Sequence, residues 1–408
     1  MKGKTLLLFS FFALTLVRCW AQSIYFTPAE LSALEEAVDH QNTGLQPIMN
    51  ELRLFADAYL KKGPWSVTYN ESKAVSNDPH DYYSEGPYWW PDPDDPDAPY
   101  IRRDGIRNPG RFTAHKEALA EMTIAVAVLS LAGHYFRQPD YSKRAVEVLR
   151  VWFLDPDTRM NPNLNYAQAI PNRSPGRNFG IIDTHIWAEW FDFLKILAGS
   201  GYWPEKDQDR LRQWFIDYLN WMLESDHGRD EKMAGNNHAT WWTAQTAALA
   251  GFTDRTDLFP GIEDHVKHHL IANQIEANGS CPAEEKRTRS FDYSLFNLEA
   301  FGLICRFFEI RGVDLWEWTN SRGGSVKKAI DYMVPYLENP ADWKGKQITE
   351  KNIREPLFLI FAGLRFPEAK YRDLYNRLIS RRSPDDLKFR YDPFRLWLNM
   401  YITATTKE

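Results

Sequence analysis

The amino-acid sequence predicts an all-α protein, an α/α toroid in which paired helices build an incomplete barrel with long loops over its groove. Three observations predict it. Apolar residues recur at helical spacing from end to end of the 408 residues. Strand-like alternation is almost absent. The helical stretches follow one another through short turns rich in Gly, Pro and Asp, which lets each helix pair pack against the next.

Thr27-Pro28 opens the first helix, with Thr27 as N-cap and Pro28 at the first helical position, and Leu31, Leu34 and Val38 continue its apolar face. A second helix is expected at about 47–61. The stretch at about 113–137 is nearly all apolar in its middle, from Ile124 to Leu131, and should be buried on most sides. Further helices are expected at about 140–154, 181–199, 205–225, 238–250, 256–276, 290–311, 324–337, 351–363, 367–380 and 389–402. Two long irregular stretches interrupt them, at about 63–111 and 155–180. Loops of that length inside a compact domain are often functional.

The N-terminus predicts export. Lys2 and Lys4, an apolar run and then Cys19-Trp20-Ala21 read as a signal peptide over 1–21, with cleavage before Gln22. Arg18 argues against cleavage and lipidation at Cys19. No composition shift marks a linker, so residues 22–408 are expected to form one domain in an exported, periplasmic protein, with the cell surface as the alternative. No other segment reads as apolar enough to cross a membrane. A net charge of −6 argues against nucleic acid as a partner. Cys281 and Cys305 alone remain after cleavage, and the sequence does not say whether they pair. The 16 tryptophans suit either a large core or a cleft whose ring faces stack on sugars.

Three constellations could carry chemistry. Asn236-Asn237-His238, followed by Trp241 and Trp242, enters an apolar helix. One Asn is explained as an N-cap. A histidine in the first helical turn stays neutral beside the positive helix end, as a general base requires. Arg289 and Tyr293 are four apart and share a helix face, offering a guanidinium for a carboxylate and a phenol for proton transfer. The third is the loop holding Trp89, Trp90, Arg102 and Arg103, where rings and guanidinium groups together suit a sugar acid. Arg173 in the next loop adds another cation. His265, His268 and His269 lie near one helix face, but no carboxylate or cysteine completes a metal set with them.

Taken together these segments resemble the alginate lyase family of polysaccharide lyases. Asn236-Asn237-His238 before tryptophan is similar to the family's Asn-Asn-His motif. Arg287-Thr288-Arg289 leading to Tyr293 is similar to its second catalytic segment, and the Tyr88-to-Pro93 and Arg102-to-Gly105 stretches resemble those of related secreted proteins. The resemblance implies an α/α toroid, elimination without a metal or organic cofactor, and an acidic polysaccharide as partner. One departure stands out: the position seven after Arg289, where the best-known members carry tyrosine, is Phe296. Tyr293 then becomes the expected proton donor, in a divergent branch acting on alginate or glucuronan.

In the mechanism this implies, Asn237 and Arg289 neutralise the uronate carboxylate. Asn236 shares that role or caps the helix. His238 and Tyr293 move the protons, while Trp89, Trp90, Arg102, Arg103, Arg173 and Trp241 hold neighbouring sugars. Two alternatives remain at this level. An inverting glycoside hydrolase would need two carboxylic groups, for which Asp183, Asp192, Glu284, Glu285 and Asp292 are available. A non-catalytic protein binding uronate oligosaccharides would need only the aromatic and arginine-rich loop.

Overall fold

The computed structural model describes residues 23–95, 97–351, 353, 356–380 and 392–405. The expected signal peptide lies outside the described residues. Among these, helices dominate, and they form an inner and an outer layer as an α/α toroid requires. The inner elements are Ala114–Tyr135, Asn178–Glu189 with Phe191–Ala198, Asn237–Phe252, Ser290–Glu309, Leu357–Arg365 and Pro393–Thr405. Ala114–Tyr135, Asn237–Phe252 and Ser290–Glu309 are buried around most of their circumference, as their nearly continuous apolar sequences demand. Gln46–Tyr59, Pro139–Leu149, Glu205–Glu224 and Val326–Glu338 are amphipathic and bury one stripe each. Pro393–Thr405 packs against Pro28–Asp39 and Ala114–Tyr135, bringing the first and last described helices together.

Local chemistry sets the helix ends. Thr27 makes the expected capping box with Glu30, and Pro28 occupies the first turn. Asp192, buried in the wall, takes hydrogen bonds from Ser23 Oγ and from the backbone of Ile24 and Tyr25, at 2.7–3.1 Å, and so fixes the start of the described chain. Ala114–Tyr135 is long and apolar enough to cross a membrane by composition, contrary to the sequence expectation. It is a core helix, packed against Gln46–Tyr59, Pro139–Leu149 and Phe191–Ala198. Much of the tryptophan content is core as well: Trp152, Trp187, Trp190, Trp241, Trp316 and Trp397 are fully buried.

Several elements differ from expectation. The helix expected at 181–199 is a 3₁₀ helix, Asn178–Glu189, followed by an α-helix, Phe191–Ala198. Ile181, Thr184, Trp187 and Trp190 are buried every third residue, the period of a 3₁₀ turn. Leu357–Arg365 starts later than expected, directly after Pro356. Asp226–Lys232 forms an unforeseen short helix.

The irregular stretches also carry two small sheets. Tyr83–Glu85 pairs in parallel with Tyr166–Ala169, and Trp89–Trp90 pairs antiparallel with Ile101–Arg102. The second pair makes a strap. Asp104 ties it to the body, accepting from Thr288 Oγ1 at 2.8 Å and Arg287 Nη2 at 3.0 Å. Gly105, at φ +77°, has to be glycine for this approach, because a Cβ there would lie 2.4 Å from Thr288 Oγ1.

Candidate active site

The strap, the 3₁₀ helix and the starts of the inner helices enclose a groove of about 720 Å³. Asn236, Asn237, His238, Trp241, Arg289, Tyr293, Trp89 and Arg102 all contribute to its walls. Segments far apart in the sequence, Tyr88 and Tyr293 among them at 205 positions apart, therefore meet in one place, as the sequence constellations require.

The helix Asn237–Phe252 presents its first turn to the groove. Asn236 is its N-cap, and its Oδ1 accepts from His238 N at 3.1 Å, so its side chain serves the helix. Asn237 is fully buried. Glu284 accepts from its backbone N at 2.6 Å and from its Nδ2 at 2.8 Å, while Asn237 Oδ1 has no hydrogen-bond partner among the described residues. Burial raises the Glu284 carboxyl above its ordinary range, against the pull of the two Asn237 donors. His238 Nδ1 lies 2.5 Å from Oε1 of buried Glu231, whose Oε2 accepts from Asn178 Nδ2 at 3.0 Å. That carboxylate favours the tautomer with its proton on Nδ1, leaving Nε2 with a lone pair. Phe179 meets the imidazole edge-on, with centroids 4.7 Å apart.

Arg289 and Tyr293 stand at the start of Ser290–Glu309. A bridge to Gln347 and a hydrogen bond from Ser290 N to Lys346 O, at 2.9 Å, hold the backbone there. The Arg289 guanidinium pairs with Asp292 at 2.5 Å. The Tyr293 hydroxyl is 2.8 Å from that of Tyr88, and the Arg287 guanidinium lies 3.9 Å from the Tyr293 ring centre. Burial, and then the neighbouring Tyr88, push the Tyr293 hydroxyl well above the usual phenol range, although Arg287 pulls it down. The resting group is therefore a protonated donor. Phe296 also lines the groove and packs on Trp241 at 4.9 Å.

The binding residues expected from the loops divide. Trp89 and Arg102 line the groove, but Trp90, Arg103 and Arg173 do not contribute to its walls. The Trp90 indole donates to Ile106 O at 2.9 Å, and Arg103 covers its ring at 5.0 Å. Arg173 sits over Trp89 at 4.8 Å. Trp241, 2% exposed, gives its indole N–H to Phe296 O and forms floor more than stacking surface.

Sequence reasoning missed Glu231, Tyr88, Arg177 and His185. Glu231 sits in the highly charged run Asp226–Lys232, which reads as a solvated turn. Tyr88 was visible beside Trp89 but had no spacing relation to Tyr293. His185, with Nδ1 2.7 Å from Ile182 O, falls on the unforeseen 3₁₀ helix.

The carboxylates of the hydrolase alternative are each engaged by other groups. Asp183 is buried against Lys116 at 2.6 Å and Ser84 at 2.5 Å. Asp192 anchors the N-terminal segment, Glu284 holds Asn237, Glu285 accepts from Cys281 N at 3.2 Å, and Asp292 pairs with Arg289. His265 and His269 stack at 4.7 Å while His268 pairs with Asp264, so the three do not converge. Cys281 and Cys305 are both free and buried.

Comparison with known proteins places this arrangement. A crystal structure of an alginate lyase from Bacteroides ovatus matches with a TM-score of 0.84 and 32% identity, covering 92% of this chain and 98% of that one. Alginate lyase A1-III complexed with a tetrasaccharide matches at a TM-score of 0.52 and 14% identity, a likeness of fold. Among curated proteins, alginate lyases of Cobetia marina and Pseudomonas fluorescens are 33% and 38% identical over 146 and 155 residues. Those alignments span 35% and 37% of this chain, and only 37% and 39% of the relatives' own lengths. The family model described as alginate lyase matches residues 66–343, which hold the strap, the Asn-Asn-His turn and the Arg289–Tyr293 turn alike. The chain belongs to the alginate lyase family.

Proposed function

We propose that the protein is a polysaccharide lyase that cleaves alginate, or the related uronate polymer glucuronan, by β-elimination and leaves a 4,5-unsaturated uronate end. The observation that carries this reading is the meeting of His238, Arg289 and Tyr293 on one groove, with His238 oriented by Glu231 and Tyr293 held protonated. The relatives named alginate lyase support the substrate class. The same reading takes residues 1–21 as an export signal and the periplasm as the working compartment.

Removing the C5 proton of a uronate is difficult because the adjacent carboxylate is already negative. Arg289, with a remaining hydrogen of Asn237 Nδ2, neutralises that carboxylate so that charge can spread onto it as the C–H bond breaks. The electron pair then forms the C4–C5 double bond and expels the C4 oxygen, which takes a proton from the enzyme. In mannuronate the C5 hydrogen and the leaving oxygen share a face, so Tyr293 serves both steps, but only after its own proton has passed to solvent. As phenolate it takes the C5 proton, and it then returns that proton to the leaving oxygen. In guluronate they lie on opposite faces, so His238 Nε2 takes the C5 proton and Tyr293 supplies the leaving oxygen.

The test is ultraviolet absorbance of the new double bond on polymannuronate, polyguluronate, mixed alginate and glucuronan. A rise on at least one of them is expected. New reducing ends without absorbance would replace elimination by hydrolysis. Tight oligosaccharide binding with neither product would leave a binding protein.

A further inference from the structure

Five cations of the groove each meet a carboxylate within 3.1 Å: Arg102 and Arg287 share Asp104, Lys116 has Asp183, Arg289 has Asp292 and Arg395 has Glu299. Arg177 differs. Among the described residues its guanidinium bonds only to neutral groups, with Nε donating to Gln168 O at 2.8 Å and Nη2 to Gln168 Oε1 at 3.2 Å. Burial lowers its pKa to about 10, with Arg102 and Arg173 adding to the effect and Glu231 and Asp183 opposing it without touching the guanidinium. A partly buried cation with no carboxylate in contact is costly, and a bound anion relieves that cost.

The surroundings are built to hold this side chain. Gln168 supports it from a left-handed backbone conformation, φ +49°, unusual for a residue with a Cβ and typical of functional sites. Ser84 Oγ receives the Gln168 backbone N–H at 2.8 Å, which fixes that strained residue. Gly86 leaves the room: a Cβ there would lie 2.8 Å from Arg177 Nη2 and 2.7 Å from the Trp89 ring. The guanidinium lies 5.7 Å from the Trp89 ring centre and 5.1 Å from that of Phe179, and Phe179 in turn abuts His238. Two of its donors are used by Gln168, and the rest are available in the planar fork that suits a carboxylate.

We propose that Arg177 binds the carboxylate of a second uronate, next along the polymer to the one that loses its C5 proton, so that the groove reads two successive acidic sugars. This rests on the lyase reading and adds to it a residue that selects acidic over neutral polymer beside the cleavage point. Trp89 then serves chiefly to position Arg177 and Arg173, whose guanidinium groups both occupy its ring.

The test uses the full chain with turnover arrested by Tyr293→Phe. Saturated tetramannuronate, tetraguluronate and their carboxyl-reduced counterparts are titrated calorimetrically into this parent and into Tyr293→Phe/Arg177→Gln. Losing one charge-assisted contact should weaken the better acidic ligand about 10–100-fold and leave the carboxyl-reduced ligand unchanged. Arg177→Lys, which keeps the charge but not the fork, should recover part of the loss, and it carries the test if the Gln variant lacks the parent's helical circular dichroism. Unchanged acidic affinity, or equal losses on acidic and reduced ligands, would overturn the proposal. If wild type forms unsaturated product while Arg177→Gln leaves the acidic affinity unchanged, only this proposal falls. If wild type neither forms product nor binds the acidic tetrasaccharides, the lyase reading falls with it.

Discussion

In the elimination proposed on guluronate, His238 and Tyr293 can divide the proton transfers only if each holds the right proton before the sugar arrives, and each has a neighbour placed to set it. Glu231 favours the proton on Nδ1 of His238, and burial with Tyr88 keeps the Tyr293 hydroxyl protonated. Tyr293→Phe should therefore lower kcat by about 10²–10⁴-fold on every substrate, while His238→Ala should do so chiefly on guluronate. Retention of near-wild-type turnover by folded Tyr293→Phe would refute the assignment. Tyr88 supplies a finer test. It raises the Tyr293 pKa, so on polyguluronate, where Tyr293 is the acid, Tyr88→Phe should lower that pKa and move the alkaline limb of the kcat/KM profile to lower pH. A limb that stays in place would show that Tyr293 is not the group titrating there. At this scale the sequence made His238, Arg289 and Tyr293 visible because each stands at a helix start in a recognisable run. Glu231, seven residues before His238, was invisible because its burial comes from tertiary packing and its neighbours are nearly all charged.

Helices were the readable elements because burial imposes a 3.6-residue period on their composition, and the capping box at Thr27 marked one start to the residue. The strands of the loops left no such trace: Tyr83–Glu85 and Trp89–Trp90 are three and two residues long, too short for alternation to emerge. Their placement depends on single anchors instead. Asp104 is the anchor of the strap, and burial alone would raise its pKa, yet donation from Arg287 and Thr288 holds it down, from 3.8 to about 2. A depressed carboxyl contributes stability that is complete above its unfolded value and is lost as pH falls through the folded one. The strap should thus loosen as pH drops from about 4 to about 2. Digestion with pepsin, which cuts throughout that window, should begin to nick residues 86–110 there while circular dichroism still reports the helices. Asp104→Asn should be nicked already at pH 4. Equal resistance of the two proteins at pH 4 would show that the strap is held by something else.

The toroid itself gives the groove a sign opposite to that of the chain. Asn237–Phe252 and Ser290–Glu309 open at the groove with Asn236 and Arg289, Leu357–Arg365 opens there after Pro356, and Pro393–Thr405 opens there with Asp392 and Arg395. Helices that all begin at one end of a ring aim their positive dipole ends into the same space. Arg102, Arg107, Lys116 and Arg177 line the strap side of that space, so an overall charge of −6 surrounds a groove rich in cations. Under the proposed function, this arrangement would concentrate a polyanionic substrate in the groove while the outer surface repels it. Such steering is screened over about 10 Å at 0.1 M salt and about 3 Å at 1 M. Turnover of a uronate tetrasaccharide, too short to carry a polymer's counterion atmosphere, should then lose about tenfold in kcat/KM across that range, mostly through KM. Within the same series Arg177→Gln should show a shallower salt slope than wild type, because one of the screened charges is gone. A kcat/KM indifferent to salt in both proteins would mean that the helix ends and the groove arginines do not act at a distance, and that the substrate is held by contact alone.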